Sequence, residues 1–152
     1  IGALKGESRD AANRGWIDVL DWGWGVANRG AAHAGGGAGA GKVEVRDLRF
    51  TKYVDAASCP LQRACCTGQH FADAVLVARK AGGGPHDYLT VTLGDLVVTS
   101  VTAGGRGDGD RLTEVVTVQF ARVTVEYREQ TPTGGTNPAG RMVWDAALNA
   151  TE

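Results

Sequence analysis

Residues 36–43, GGAGAGKV, come close to a phosphate-binding loop. Gly36, Gly41 and Lys42 have the spacing of a motif in which backbone N–H groups and a lysine cradle phosphates. Val43 stands where the magnesium-binding serine or threonine belongs, and the residues after it alternate as a strand instead of opening a helix onto the phosphates. We therefore interpret the segment as a glycine-rich loop between strands and not as a nucleotide site.

Three cysteines lie close together in the chain, at positions 59, 65 and 66. On a helix, Cys59 and Cys66 would share a face about 10 Å apart, beyond the ~7 Å Cα separation that a disulfide allows. We predict three reduced thiols, made in a reducing compartment. Together with His70 two of them could bind zinc, but the spacing fits no zinc finger or ribbon, and we predict small buried side chains instead.

The glycine-rich connection AGGRGDGDR contains two further short patterns. RGD at residues 106–108 is a tripeptide that recurs by chance, and DGDRLTE lacks the third acidic position and the glycine of an EF-hand loop. His33, His70 and His86 fall in different loops or strand ends, and no serine lies in a G-x-S-x-G elbow. The sequence therefore predicts no catalytic residue, no cofactor and no metal ion.

The length and net charge of the chain limit the classes of protein to which it can belong. The 152 residues are enough for one domain, expected over residues 1–152. A net charge of −1 with both signs interspersed lacks the basic footprint of a nucleic-acid binder. No apolar run approaches the ~20 residues of a membrane-spanning helix. Because residue 1 is isoleucine, we expect the first residues of an N-terminal strand to be missing.

Strands are the elements that must position these residues. Glycine, with 23 residues, clusters between segments of period two, which is typical of an all-β domain. The segment WIDVLDWGWGV predicts one strand with Asp21 and Gly23 on the face opposite the core. Its expected core side chains are Trp16, Leu20, Trp22, Trp24 and Val26.

Further strands are predicted in KVEVRDLRF, DAVLVARK, YLTVTLGDLVVTSV, EVVTVQFARVTVEY and RMVWDAAL. The alternation slips between Phe120 and Val123, which indicates a bulge or a twist. One helix is expected over residues 59–67, with Ser58 as its N-cap and Gly68 as its stop. Seven or eight strands and one helix favour a barrel or a tightly curled sandwich, because closure limits exposed edges.

Several stretches match a known family in order, spacing and strand phase. They are KGES, IDVLDWGWGV, GGGAGAGKVEVRDLRFTKYVD, ACCTGQH, VARKAGG, YLTVTLGDLVVTSV and DRLTEVVTVQFARVTVEY. The chain resembles the Hcp (haemolysin-coregulated protein) family, the tube subunits of bacterial type VI secretion. It departs from the family in the added thiol of the Cys65–Cys66 pair, a more charged RGDGD loop, apolar Val75 and Val77, and a tail after Tyr127 that matches loosely apart from its tryptophan, Trp144.

The resemblance implies an all-β fold with one short α-helix, a β-barrel of the tail-tube type that assembles into hexameric rings. The rings would stack into an inner tube that a contractile sheath drives. The implied partners are further copies of the chain, the sheath, a spike protein at the tube tip and small effector proteins in the lumen, without nucleic acid or membrane insertion. Assembly in the bacterial cytoplasm and export to the medium or a target cell would follow.

Three groups of residues have expected roles in such an assembly. The lumen-facing, effector-contacting residues are Asp21, Gly23, Thr117 and Gln119. The barrel core contains Trp22, Trp24, Val118 and Phe120. An arm that reaches a neighbouring subunit or ring contains Ala31, His33, Gly35, Gly36, Gly37, Gly39 and Gly41. Two alternatives stay open: the tube subunit of a phage tail or extracellular contractile injection particle, and a monomeric β-barrel that binds a ligand or acts as an enzyme.

Overall fold

The computed structural model describes residues 1–28, 43–79, 86–105, 109–131 and 135–151. Within these ranges the chain forms eight strands and one helix. In chain order they are β1 (Val19–Gly23), β2 (Val26–Asn28), β3 (Val43–Val45), β4 (Leu48–Tyr53), α1 (Ser58–Thr67), β5 (His70–Arg79), β6 (Asp87–Gly104), β7 (Thr113–Gln130) and β8 (Thr136–Asp145). The predicted mostly-β fold with one short helix is confirmed.

Six of the strands form one sheet in the order β1-β4-β7-β6-β5, with β8 also paired to β7. Strands β2 and β3 form a separate antiparallel pair. The pairs β1/β4, β4/β7 and β7/β8 are antiparallel. Within the ranges above, β1 and β5 lie at the two ends of this order and are not paired with each other.

Close contacts divide the chain into two compact units. The first unit contains Ile1–Gly2, Phe71–Leu96 and Phe120–Glu152, and the second contains Ala3–His70 and Val97–Gln119. The first unit has a core of Phe71, Ala74, Val91, Leu93, Leu96, Phe120 and Val123. The core of the second unit includes Leu48, Phe50, Leu61, Ala64, Val98, Val116 and Val118. The single domain expected over residues 1–152 stays a prediction.

The second unit buries alternate residues of β4 against β7. Leu48 and Phe50 are 2% and 4% exposed. The register places them opposite Val118 and Val116, which are also buried. Helix α1 adds Leu61 and Ala64, both buried, at the spacing of one helical face. Burying one such large aliphatic or aromatic side chain stabilises a fold by about 1.5–3 kcal/mol, so this layer holds β4 in a defined orientation.

The segment WIDVLDWGWGV does not form the single strand that its alternation predicts. Strands β1 and β2 pair with different partners, β4 and β3. The β1/β4 register shifts between Val19 and Asp21, which is a bulge at Leu20. The expected core positions Trp16, Leu20 and Val26 are 42%, 48% and 52% exposed. A bulge inserts one residue and so reverses the phase of the side chains on its two sides.

Helix α1 begins at Ser58 and ends at Thr67, close to its predicted bounds. The expected N-cap at Ser58 is wrong, since Ala57 holds that position without a side-chain hydrogen bond. The Ser58 hydroxyl accepts from the Asp55 backbone N–H at 3.0 Å and donates to Glu114 Oε1 at 2.7 Å. Gly68 is the stop as predicted, with φ of 64° and its N–H donating to the Ala64 carbonyl.

The predicted phase slip in β7 is present in the first unit. Phe120 and Val123 are both buried although they are three residues apart. Leu93 and Leu96 of β6 show the same spacing. Between the latter pair, Asp95 has φ of 51°, in the left-handed region that non-glycine residues rarely adopt. Both strands therefore change the face they bury at this point.

Candidate functional site

A polar face lies on the second unit, on the side of the sheet opposite its core. The registers of β1, β4 and β7 align Gly23 with Arg49 and Arg49 with Thr117. They also align Asp21 with Thr51, whereas Trp22 is aligned with buried Phe50. Successive side chains of a strand point to opposite faces. We define the polar face as Asp21, Gly23, Arg49, Thr51, Thr117 and Gln119.

This face is accessible and has room for a partner. Asp21, Gly23, Arg49 and Gln119 are exposed. A Cβ atom built on Gly23 would meet no atom within 4 Å, so the space above the glycine is open. Thr99 of β6 donates a hydrogen bond from its hydroxyl to the Thr117 carbonyl at 3.2 Å. The four residues expected to face a lumen thus lie on one side of the sheet.

Arg49 is a residue of this face that the sequence analysis missed. Its neighbours Leu48 and Phe50 are buried, so Arg49 points away from the core. The alternation within DLRF contains that signal. Only the strand register shows that the arginine lies beside Gly23 and Thr117.

The residues expected in the core differ in burial. Val118 and Phe120 are 1% and 7% exposed. Trp22 and Trp24 are half-buried. Trp22 lies opposite Phe50 in the register. The tryptophan therefore covers the end of the buried layer and keeps contact with solvent.

A buried ion cluster holds the strands beneath the polar face. The Lys52 ammonium is 2.7 Å from Asp55 Oδ1 and 2.8 Å from Glu114 Oε1. It also donates to the Tyr53 carbonyl at 2.7 Å and to the Ser58 hydroxyl at 3.2 Å. The Lys52 and Glu114 side chains are fully buried, with 0% of their surface exposed.

Four oxygens around an ammonium with three N–H groups use its whole donor capacity. The cluster connects β4, β7 and α1, and Lys52 has no free position for a substrate. The arrangement is suited to holding the helix against the sheet. The sequence contains a signal for it, because Lys52 is in phase with buried Leu48 and Phe50.

The three thiols form no metal site with His70 or His86 in the part of the chain that the structure describes. Cys59 and Cys66 are exposed, Cys65 is half-buried, and none forms a disulfide. The expectation of buried thiols is wrong for the two exposed cysteines, because Ser58, Leu61 and Ala64 occupy the buried face of α1. No group of three or more potential metal-binding side chains occurs in the ranges that the structure describes.

Several sequence predictions fall outside the described residues. They are the phosphate-loop pattern before Val43, the RGD tripeptide at 106–108, and the arm residues Ala31, His33, Gly35, Gly36, Gly37, Gly39 and Gly41. No helix in the described part of the chain is long and apolar enough to cross a membrane.

Comparisons with known proteins identify the fold and its family. The family model described as "Type VI secretion system effector, Hcp" matches residues 1–127. Protein hcp1 of Pseudomonas aeruginosa is 50% identical over 135 residues, which cover 88% of this chain and 83% of that protein.

Solved structures agree with this match. A type six secretion system protein has a TM-score of 0.94 at 29% identity, covering 100% of this chain and 96% of the other. Hcp1 from Salmonella typhimurium has a TM-score of 0.80 at 36% identity, covering 99% and 93%. The chain therefore belongs to the Hcp family and is a tube subunit of the type VI secretion system.

Proposed function

We propose that six copies of the chain close into a ring whose polar face lines the central lumen. The observation that carries this proposal is the alignment of Asp21, Gly23 and Thr117 on one side of three paired strands, opposite a packed core. A wet lumen needs small or polar side chains on one face and a packed layer that excludes water on the other. The second unit has both.

The rings then stack into a tube that a contractile sheath propels, with a spike protein at its tip. The segment that contains the arm residues contacts a neighbouring copy, chiefly in the next ring. The lumen carries small effector proteins, which the polar face contacts through Asp21, Gly23, Thr117 and Gln119. Assembly takes place in the bacterial cytoplasm and the tube is exported. The work of the chain is assembly and transport, and catalysis has no part in it.

Native mass measurement and electron microscopy of the purified chain test the ring. We expect a six-membered ring with residue 23 facing the bore. Gly23→Gln should keep the ring, since the space at Gly23 is open, and alter the retention of effectors. Gly140→Gln is a matched control, because Gly140 is an exposed strand glycine with equal room for a side chain. A monomer at micromolar concentration, or residue 23 at a seam between copies, would contradict the proposal.

A further inference from the structure

The polar face carries one charge of each sign, and a further cation lies beside it. Asp21 contributes one carboxylate and Arg49 one guanidinium, both exposed. A second guanidinium, that of Arg111, lies 3.8 Å from the centre of the Tyr53 ring. Tyr53 follows buried Lys52 on β4, so its side chain points to the polar face. The face thus has one carboxylate and one guanidinium of its own, and Arg111 adds a second guanidinium beside Tyr53.

Arg49 is placed to bind a carboxylate from outside the chain. Arg49 is aligned with Gly23 of β1 on one side and with Thr117 of β7 on the other. Gly23 has no side chain and that of Thr117 is short, so neither neighbour covers the guanidinium. Asp21 lies opposite Thr51, so it is diagonal to Arg49. No ion pair within 4.0 Å involves Arg49 among the residues that the structure describes.

A guanidinium offers five N–H donors in a planar fork that matches both oxygens of a carboxylate. The open space above Gly23 lets a partner approach the fork from the side. Stacking on Tyr53 holds the Arg111 guanidinium in place, which lowers the entropy that it loses on binding.

We propose that Arg49, with Arg111 as a second cation, selects effectors that present acidic side chains to the polar face. The inference rests on the proposed function, in which this face lines the lumen. Six copies would place six Arg49 side chains at one level of the bore. A partner that contacts several of these arginines binds more tightly than one that contacts a single arginine. The narrow bore also strengthens the positive electrostatic potential of the repeated arginines.

The test uses two peptides with the same neutral dye, hexaglutamate and hexalysine, and measures fluorescence anisotropy with the assembled ring at low salt. The unmodified ring should prefer hexaglutamate. Arg49→Ser should weaken hexaglutamate binding about fivefold, the upper range for exposed ion pairs. Arg49→Glu should reverse the preference. Asp21→Asn should strengthen hexaglutamate binding, because it removes the competing carboxylate.

Arg46→Ser is the matched control, because the Arg46 side chain is 67% exposed and lies between β3 and β4, outside the polar face. It should leave peptide binding unchanged. If the rings form and Arg49→Ser binds hexaglutamate as the parent does, or Arg46→Ser weakens it equally, this inference is overturned while the proposed function stands. If the unmodified chain forms no ring, the proposed function fails and the inference fails with it.

Discussion

A buried lysine, Lys52, connects three elements of the second unit. Lys52 joins β4 to β7 through Glu114 and to the turn before α1 through Asp55. Glu114 Oε1 also accepts from Ser58, so one carboxylate oxygen serves two donors. Removing the cation leaves two carboxylates close together in a region that excludes water.

Lys52→Met should therefore lower the free energy of unfolding by about 3–5 kcal/mol, the usual cost of breaking a buried ion pair. Methionine nearly retains the length of the lysine stem, so the loss of charge accounts for most of the effect. Urea unfolding measures it. Lys5→Met, which changes an exposed lysine of the same unit, should have an effect below about 0.5 kcal/mol.

The double variant Lys52→Met with Glu114→Leu separates charge from packing. An apolar pair of similar volume can replace a buried ion pair with little loss, so the double variant should recover at least half of the lost free energy. Stability equal to that of the Lys52→Met single variant would show that the unpaired Glu114 carboxylate does not cause the defect.

At Gly6 the backbone of Trp16 and Ile17 passes so close that a side chain has no room. A Cβ atom there would lie 2.5 Å from the Trp16 carbonyl oxygen and 2.8 Å from the Ile17 Cα. The Gly6 N–H also donates to the Gly15 carbonyl at 2.8 Å, so the backbone is held in that position. Two of the atoms that would clash are backbone atoms, which cannot rotate away.

Gly6→Ala should cost about 1–3 kcal/mol, as expected when a methyl group is forced into a filled space. Thermal melting measures this as a lower Tm. Gly25→Ala is the control, because a Cβ at Gly25 meets nothing within 4 Å. Equal melting temperatures for the two variants would mean that the chain relaxes around residue 6 at little cost.

Helix α1 depends on how it ends. Gly68 has φ of 64°, and a Cβ there would meet no atom within 4 Å. A side chain at position 68 would therefore lower the stability of the fold through backbone strain and not through a steric clash. Both the Gly68 and the Gln69 N–H groups donate to the Ala64 carbonyl, so the last turn needs this conformation.

Gly68→Ala should reduce stability by about 1–2 kcal/mol, the cost of the left-handed conformation for a residue with a Cβ. Gly68→Asn should lose less, since asparagine adopts that conformation more readily. Urea unfolding of both variants tests the order. A Gly68→Asn variant that is less stable than Gly68→Ala would contradict the strain argument.

At the scale of the whole molecule, assembly requires contacts that one copy does not supply. The glycine- and alanine-rich arm segment has no large apolar side chains in its sequence, and ordering its backbone costs about 1–2 kcal/mol per residue. Contacts with neighbouring copies are the proposed compensation. Deleting residues 36–40 should spare the fold, keep Tm within a few degrees of the parent value, and weaken the stacking of rings.

Thermal melting and imaging of tubes from the same preparation measure both effects. A large drop in Tm would show that the segment supports the fold of its own chain. Tubes of unchanged length and number would show that it contributes nothing to stacking. Either result would overturn its proposed role as an arm.

The sequence by itself determined which neighbouring residues share a face of a strand. Asp21 and Gly23 are separated from Trp22, and Thr117 from Val118, because alternation of side chains is a local property of extended backbone. The sequence also determined that α1 ends at Gly68, because glycine adopts the left-handed backbone conformation of a helix end without steric cost. Family membership followed from the same local patterns, read in order along the chain.

Only the tertiary structure decided which strands meet and in what register. That register brings Lys52 to Glu114, which is 62 residues away in the chain, and places Arg49 between Gly23 and Thr117. It also exposes Leu20 through the bulge in β1, against the alternation of its own segment. Pairing between distant strands depends on the packing of both partners, and a pattern within either strand contains only half of that information.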